Sequence, residues 1–249
     1  MACVFYEHDK LVKITQPCLE GRLIKRYKRF LADIELIDGR LITAHTPNTG
    51  SMKGCAEPGS RVWVYDTCKP SRKYIYSWDL VEDVEGHLVG IHTGRPNYLV
   101  REAIESGVIV ELQGYAHIRM EARYFDKSTR FDLLLTGHAM QNDCYVEVKN
   151  VTAKREIDGD VAIFPDAVTK RGLKHLAMLE NAVANGFRAA MVYCIQRQDV
   201  NYFSPAFEID PAYASGLKKA SENGVEVYAY KSIVSPQEIM LSEAVKLGF

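Results

Sequence analysis

No stretch of the 249 residues approaches the ~18 consecutive apolar positions that a membrane-spanning helix needs. The six cysteines, at 3, 18, 55, 68, 144 and 194, form no CxxC and stand near no histidine in ligand spacing. That argues against a disulfide framework and a zinc site, and a reducing cytoplasm is the simplest setting. The seven histidines form no HxxxH. Excess charge is also lacking, because 31 Lys and Arg against 32 Asp and Glu leave −1. Bulk charge therefore does not advertise nucleic acid, and any such binding rests on local patches. Met1 to Lys10 carries charges and no apolar core, so no secretory signal is read there. Internal repeats and low-complexity segments are absent. What is present is a globular composition, 47% hydrophobic and 25% charged. The length suits one large domain or two small ones with ordinary cores.

The first 80 or so residues read as short strands: Cys18 to Arg26, Phe30 to Leu36, Arg40 to Ala44, Arg61 to Thr67 and Tyr74 to Val84. Asp38-Gly39, Pro47-Asn48, Glu57-Pro58-Gly59 and Lys69-Pro70-Ser71 separate them as turns. Five such strands suggest a small closed barrel. Arg22, Lys25, Arg26, Lys28 and Arg29 interleave with Tyr27 and Phe30. That edge suits phosphate tracking with aromatic stacking, and equally a solvated basic strand. The polar, glycine-bearing loop His45 to Gly54 either binds a phosphate or merely joins two strands.

Gly86, Gly90, Gly94 and Pro96 mark a crossing between domains, placed at 83/84. Asn97 is read as the cap of a helix from Tyr98 to Ser106. A strand from Gly114 to Tyr124 turns at Asp126-Lys127-Ser128. A second long helix covers Thr169 to Asn185, with Leu173, Leu176, Leu179 and Val183 as its buried stripe. Lys170, Arg171, Lys174 and His175 load its first turns, where free N–H groups and basic side chains suit a phosphate; ordinary surface charge is the other reading. Phe187 to Gln196 is apolar almost throughout and fits a strand buried on both faces. Asp210-Pro211 caps a further helix, and Gly224 to Lys231 is a second buried strand. That strand–helix–strand order implies a parallel pair. A closing helix is expected from about Ser235.

The densest chemistry lies between Arg130 and Val151. Both Arg130 to Thr136 and Cys144 to Val151 alternate with period two, as strands do. If Leu135 faces Cys144 in a hairpin, Asp132 faces Glu147. Directly opposed residues have Cβ atoms ~4.5–5.5 Å apart, and two carboxylates at that range repel unless a positive group intervenes. A hard divalent cation would resolve the repulsion, and Lys149 on the same face could hold a water or a phosphate oxygen. Alternating acids and bases also occur on solvated strand faces.

Asp132 followed by Glu147-Val148-Lys149 resembles the catalytic core of the PD-(D/E)xK nuclease superfamily. The chain as a whole resembles the sugar fermentation stimulation protein A (SfsA) family. The segments that carry this are HTPNTGSMKG (His45 to Gly54), GRPN (Gly94 to Asn97), RFD with YVEVKN, FPDAVTKRGLKHL (Phe164 to Leu176) and NYFSPAFEIDPAY (Asn201 to Tyr213). The resemblance implies a mixed α/β protein. An OB-fold-like barrel over 1–83 would precede a restriction-endonuclease-like α/β domain with a mixed sheet over 84–249. It implies DNA binding and a proposed role in regulating sugar (maltose) metabolism. Asp132 and Glu147 would ligate Mg²⁺ or Mn²⁺, joined by the carbonyl of Val148 and by the helical acid Glu102. Lys149 would position the attacking water, while Lys170, Arg171, Lys174 and His175 hold the DNA backbone and Arg22, Lys25, Arg26 and Arg29 add contacts. DNA, single- or double-stranded, is the expected partner, with no membrane. Two other readings stay open: a non-catalytic DNA-binding regulator on the same fold, and a sugar- or protein-binding module.

Overall fold

The computed structural model describes residues 18–69, 71–124, 130–155 and 159–249. The expected turn at Asp126 to Ser128 lies outside the described residues, as do Pro70 and Met1 to Lys10. The chain divides into two compact units.

The first unit is a barrel. Its strands are β1 (Leu19–Tyr27), β2 (Leu31–Leu36), β3 (Leu41–His45), β4 (Arg61–Asp66) and β5 (Tyr76–Glu82), with β6 (Leu88–Gly90) as a hairpin extension of β5. Neighbours run β3-β2-β1-β4-β5, and β3 pairs with β5 to close the ring. Closure satisfies both edges that an open sheet would expose. Leu23, Ile34, Val62, Val64 and Trp78 fill the interior. Gly21 is required where β1 crosses β2, since a Cβ there would stand 2.6 Å from the Glu35 carbonyl oxygen. This unit continues to Arg95 and takes in Gln196–Asp199 and Ser232–Met240. The cut expected at 83/84 falls short of that, because β6 still pairs with β5 and Ile91 belongs to the barrel core.

The second unit comprises Pro96–Ile195, Val200–Lys231 and Leu241–Phe249. It holds α1 (Pro96–Glu105), β7 (His117–Arg123), β8 (Arg130–Thr136), β9 (Cys144–Val151), β10 (Val161–Phe164), α2 (Lys170–Ala184), β11 (Arg188–Ile195), β12 (Tyr202–Pro205) and α3 (Pro211–Glu222). β13 (Glu226–Val234), β14 (Ile239–Ala244) and β15 (Lys246–Leu247) complete the chain. The main sheet is ordered β14-β13-β11-β9-β8-β7. β7, β8 and β9 are antiparallel, and β11 runs parallel to both β9 and β13. β11 is buried over seven of its eight positions, as an apolar run between two parallel neighbours should be. A second, parallel sheet joins β10, β12 and β15. The sequence reading lacks these three short strands.

Two local expectations need correction. The closing helix from Ser235 is instead a turn, with the Ser235 N–H donating to the Glu238 carbonyl, and then β14. There Ile239 and Leu241 are buried and Met240 is exposed, which is a strand's period. Of the described cysteines, 18, 55, 144 and 194 are free, whereas Cys68 is disulfide-bonded.

α2 starts where expected. Thr169 caps it by accepting from the Gly172 N–H. Asp210 caps α3 through Tyr213 N–H and also accepts the Thr169 N–H at 2.8 Å, so one carboxylate ties both helix starts together. Gly172 packs against α3, and a Cβ there would meet Tyr213 ring carbons at 2.8 Å and 3.0 Å. Gly172→Ala is therefore expected to cost about 1–3 kcal/mol by overpacking. Thermal unfolding monitored by circular dichroism checks this, and an unchanged Tm would refute it.

Candidate functional site

The β8–β9 ladder pairs Leu135 with Cys144, Leu134 with Tyr145 and Leu133 with Val146. This is the register supposed for the hairpin, with Leu135 opposite Cys144. The next step would oppose Asp132 and Glu147, and here a side chain takes over from the ladder. Asp132 Oδ2 accepts the Val148 N–H at 2.7 Å, and Oδ1 accepts from Asn97 Nδ2 at 2.8 Å. Glu147 is buried, with 3% of its surface exposed. Its Oε1 receives Lys149 Nζ at 2.6 Å and also bonds His175 Nδ1. Its Oε2 is buried and has no hydrogen-bond partner. The geometry thus assembles Asp132, Glu147, Lys149, His175 and Asn97 from β8, β9, α2 and α1.

The electrostatics reflect two acids sharing a buried space. Burial, followed by the negative charge of Glu147, pushes the Asp132 carboxyl up to about 6; Val148 N–H, Lys149 and Asn97 oppose this. For Glu147, burial works upward but is outweighed by its bonds to His175 and Lys149, so it sits below the usual range. Glu147 therefore carries its charge at neutral pH, with one oxygen neutralised and the other bare. A buried bare carboxylate oxygen is costly. Both carboxylates are hard oxygen donors of the kind that suit a divalent cation.

Some expected roles are redistributed. Asn97 lies in the first turn of α1 rather than capping it, because Pro96 already occupies the first helical position. Its side chain is thereby free to reach Asp132, a role the sequence did not signal beyond the GRPN segment. Glu102 lies five residues further along α1, about 140° round the helix from Asn97. The Val148 N–H reaches the site, where it holds Asp132. His175 is turned onto Glu147, while Lys170, Arg171 and Lys174 on the same helix start are exposed.

On the barrel, the basic edge is largely engaged within the unit. Arg26 donates to the carbonyls of Arg29, Asn48, Gly50 and Ser51, and Arg29 donates to that of Thr49. These guanidinium groups build the His45 to Gly54 loop. Arg22 donates to Gly59 O, and Lys25 lies 3.6 Å from Asp33. Elsewhere in this unit Asp83, His87 and Asp199 bring three ligand-type atoms within 4.8 Å of one another. Arg197 already bridges both aspartates there, at 2.7 Å each.

The comparisons with known proteins agree with this architecture. Residues 24–91 match the SfsA N-terminal OB domain, and residues 94–238 match the sugar fermentation stimulation protein RE domain. The chain belongs to the SfsA family. A sugar fermentation stimulation protein homolog of Geobacter metallireducens is 50% identical over 232 residues, covering 93% of this chain and 97% of that one. Its counterpart in Thioalkalivibrio sulfidiphilus is 53% identical over 223 residues, covering 90% and 92%. The solved structure of Pyrococcus furiosus SfsA in complex with Ca²⁺ superposes with a TM-score of 0.82 at 26% identity, covering 95% of this chain and 99% of that one. The mixed α/β fold and the OB-like barrel are those of the family. Among the described residues no helix is long and apolar enough to cross a membrane.

Proposed function

We propose that this protein binds DNA and holds a divalent cation, Mg²⁺ or Mn²⁺, at a nuclease-like phosphodiesterase site on β8 and β9. One observation carries the reading: the half-buried Asp132 and the buried Glu147 lie together with a lysine, and Glu147 Oε2 has no partner. The P. furiosus protein was solved in complex with Ca²⁺, which supports a divalent cation in this family. Asp132 and Glu147 would be the ligands, and a bound cation would polarise the phosphate and acidify a water. Asn97 and the Val148 N–H fix Asp132, so that carboxylate needs no reorganisation to bind. Lys149, bonded to Glu147 Oε1, would hold the water or a phosphate oxygen. Lys170, Arg171 and Lys174 would take the DNA backbone. The relatives' name connects such a protein to sugar metabolism, and regulation of sugar (maltose) genes through DNA is the physiological role we attach to it.

The test is incubation of purified protein with single- and double-stranded DNA, with and without Mg²⁺ or Mn²⁺, beside Asp132→Ala. Tight binding without cleavage would replace this reading with a non-catalytic DNA-binding regulator. Binding itself should depend steeply on salt, with a log–log slope of about −0.9 per phosphate contacted. Lys170→Ala with Lys174→Ala should weaken binding to all sequences and flatten that slope by about 1 for each lysine. These two are better probes than Arg26 and Arg29, whose loss would also release the loop carbonyls. A salt-independent affinity would contradict the account.

A further inference from the structure

We propose that His175 is a positioning residue that aims Glu147 at the cation, with Arg171 fixing its tautomer. The inference rests on the metal-site reading above and goes further, to how the ligand oxygen is selected. An arginine guanidinium has donors only, so Arg171 Nε, 3.3 Å from His175 Nε2, makes that nitrogen the acceptor. The ring proton then sits on Nδ1 and is donated to Glu147 Oε1. Lys149 Nζ also lies 3.3 Å from Nδ1. An ammonium donates only, so it cannot bond a protonated Nδ1, and its hydrogen goes to Glu147 Oε1 at 2.6 Å. Both donors thus converge on one oxygen. Oε1 is saturated, and Oε2 is left buried and unpartnered.

The sequence explains why this is possible. Arg171 and His175 are four residues apart on α2 and share a face. That helix is held by its Thr169 cap and by Asp210, so the ring has little freedom. The His175 side chain is 11% exposed and that of Glu147 4%. Partners that orient a ligand in this way matter, since losing one typically costs about 10–100-fold in metal affinity.

Mn²⁺ titration followed by electron paramagnetic resonance, with folding monitored by circular dichroism, tests the proposal. His175→Ala should weaken Mn²⁺ binding by about 10–100-fold. His175→Asn, whose amide N–H falls near the Nδ1 position, should recover most of that loss. His175→Gln, whose amide falls near Nε2, should not, and this contrast holds even if the alanine variant folds poorly. Arg171→Ala should produce a smaller loss that adds nothing to His175→Ala. If the wild type binds Mn²⁺ and His175→Ala or His175→Gln binds it equally well, the positioning role is wrong while the metal site stands. If neither the wild type nor Asp132→Ala binds Mn²⁺, both fail.

Discussion

Replacing Asp132 by alanine should abolish divalent-dependent cleavage of DNA, a loss of about a thousandfold or more. A phosphodiester carries a charged centre that repels nucleophiles, so cleavage needs charge neutralisation and an activated water. A cation worth several kcal/mol of such stabilisation corresponds to about that factor in rate. Asp132 is one of two carboxylates available to hold it, and it is already fixed by Asn97 and the Val148 N–H. DNA affinity should survive the change, or rise in metal-free buffer, because a negative charge has left the surface the DNA approaches. Lys149→Ala should slow cleavage while Mn²⁺ still binds, with a smaller loss of affinity than His175→Ala shows. The reaction should also have an acid limit. Proton and cation compete for Asp132, whose carboxyl is pushed up to about 6, so Mn²⁺ affinity should be full above that pH and fall as pH drops through it. Equal cleavage by wild type and Asp132→Ala would assign the activity to a contaminant.

The second large effect concerns stability and lies in the barrel unit. Asp79 and Arg95 are 0% and 2% exposed and form a two-pronged pair, Nε to Oδ1 at 3.0 Å and a terminal nitrogen to Oδ2 at 2.7 Å. Removing one member of a buried pair strands the other charge, which typically costs about 3–5 kcal/mol. Asp79→Ala is therefore expected to shift the urea unfolding midpoint far to lower denaturant. Asp79→Leu with Arg95→Met should lose much less, since it buries no unpaired charge. A single variant as stable as wild type, or a double variant worse than the single, would sink this account.

The strands that carry Asp132 and Glu147, the register between them, the start of α2 and the buried β11 were all legible in the sequence. Each is local: period two sets a strand's face, a Thr or an Asp-Pro sets a helix start, and loop arithmetic sets a hairpin. The boundary after residue 83 and the closing helix were misread, because β6 is very short and β14 reveals its period over few residues. Asn97 looked like a cap and His175 like a phosphate contact, since both are ordinary choices at helix starts. Only the tertiary structure turns them onto Asp132 and Glu147, across 35 and 28 residues of chain. The same holds for Arg26 and Arg29, which read as free positive charge until the fold returns the carbonyls of residues 48–51 to them. By itself the sequence determined which side chains stand on which face of which element. Which of them meet, and which oxygen of Glu147 is left without a partner, was decided by contacts between distant segments, which no periodicity encodes.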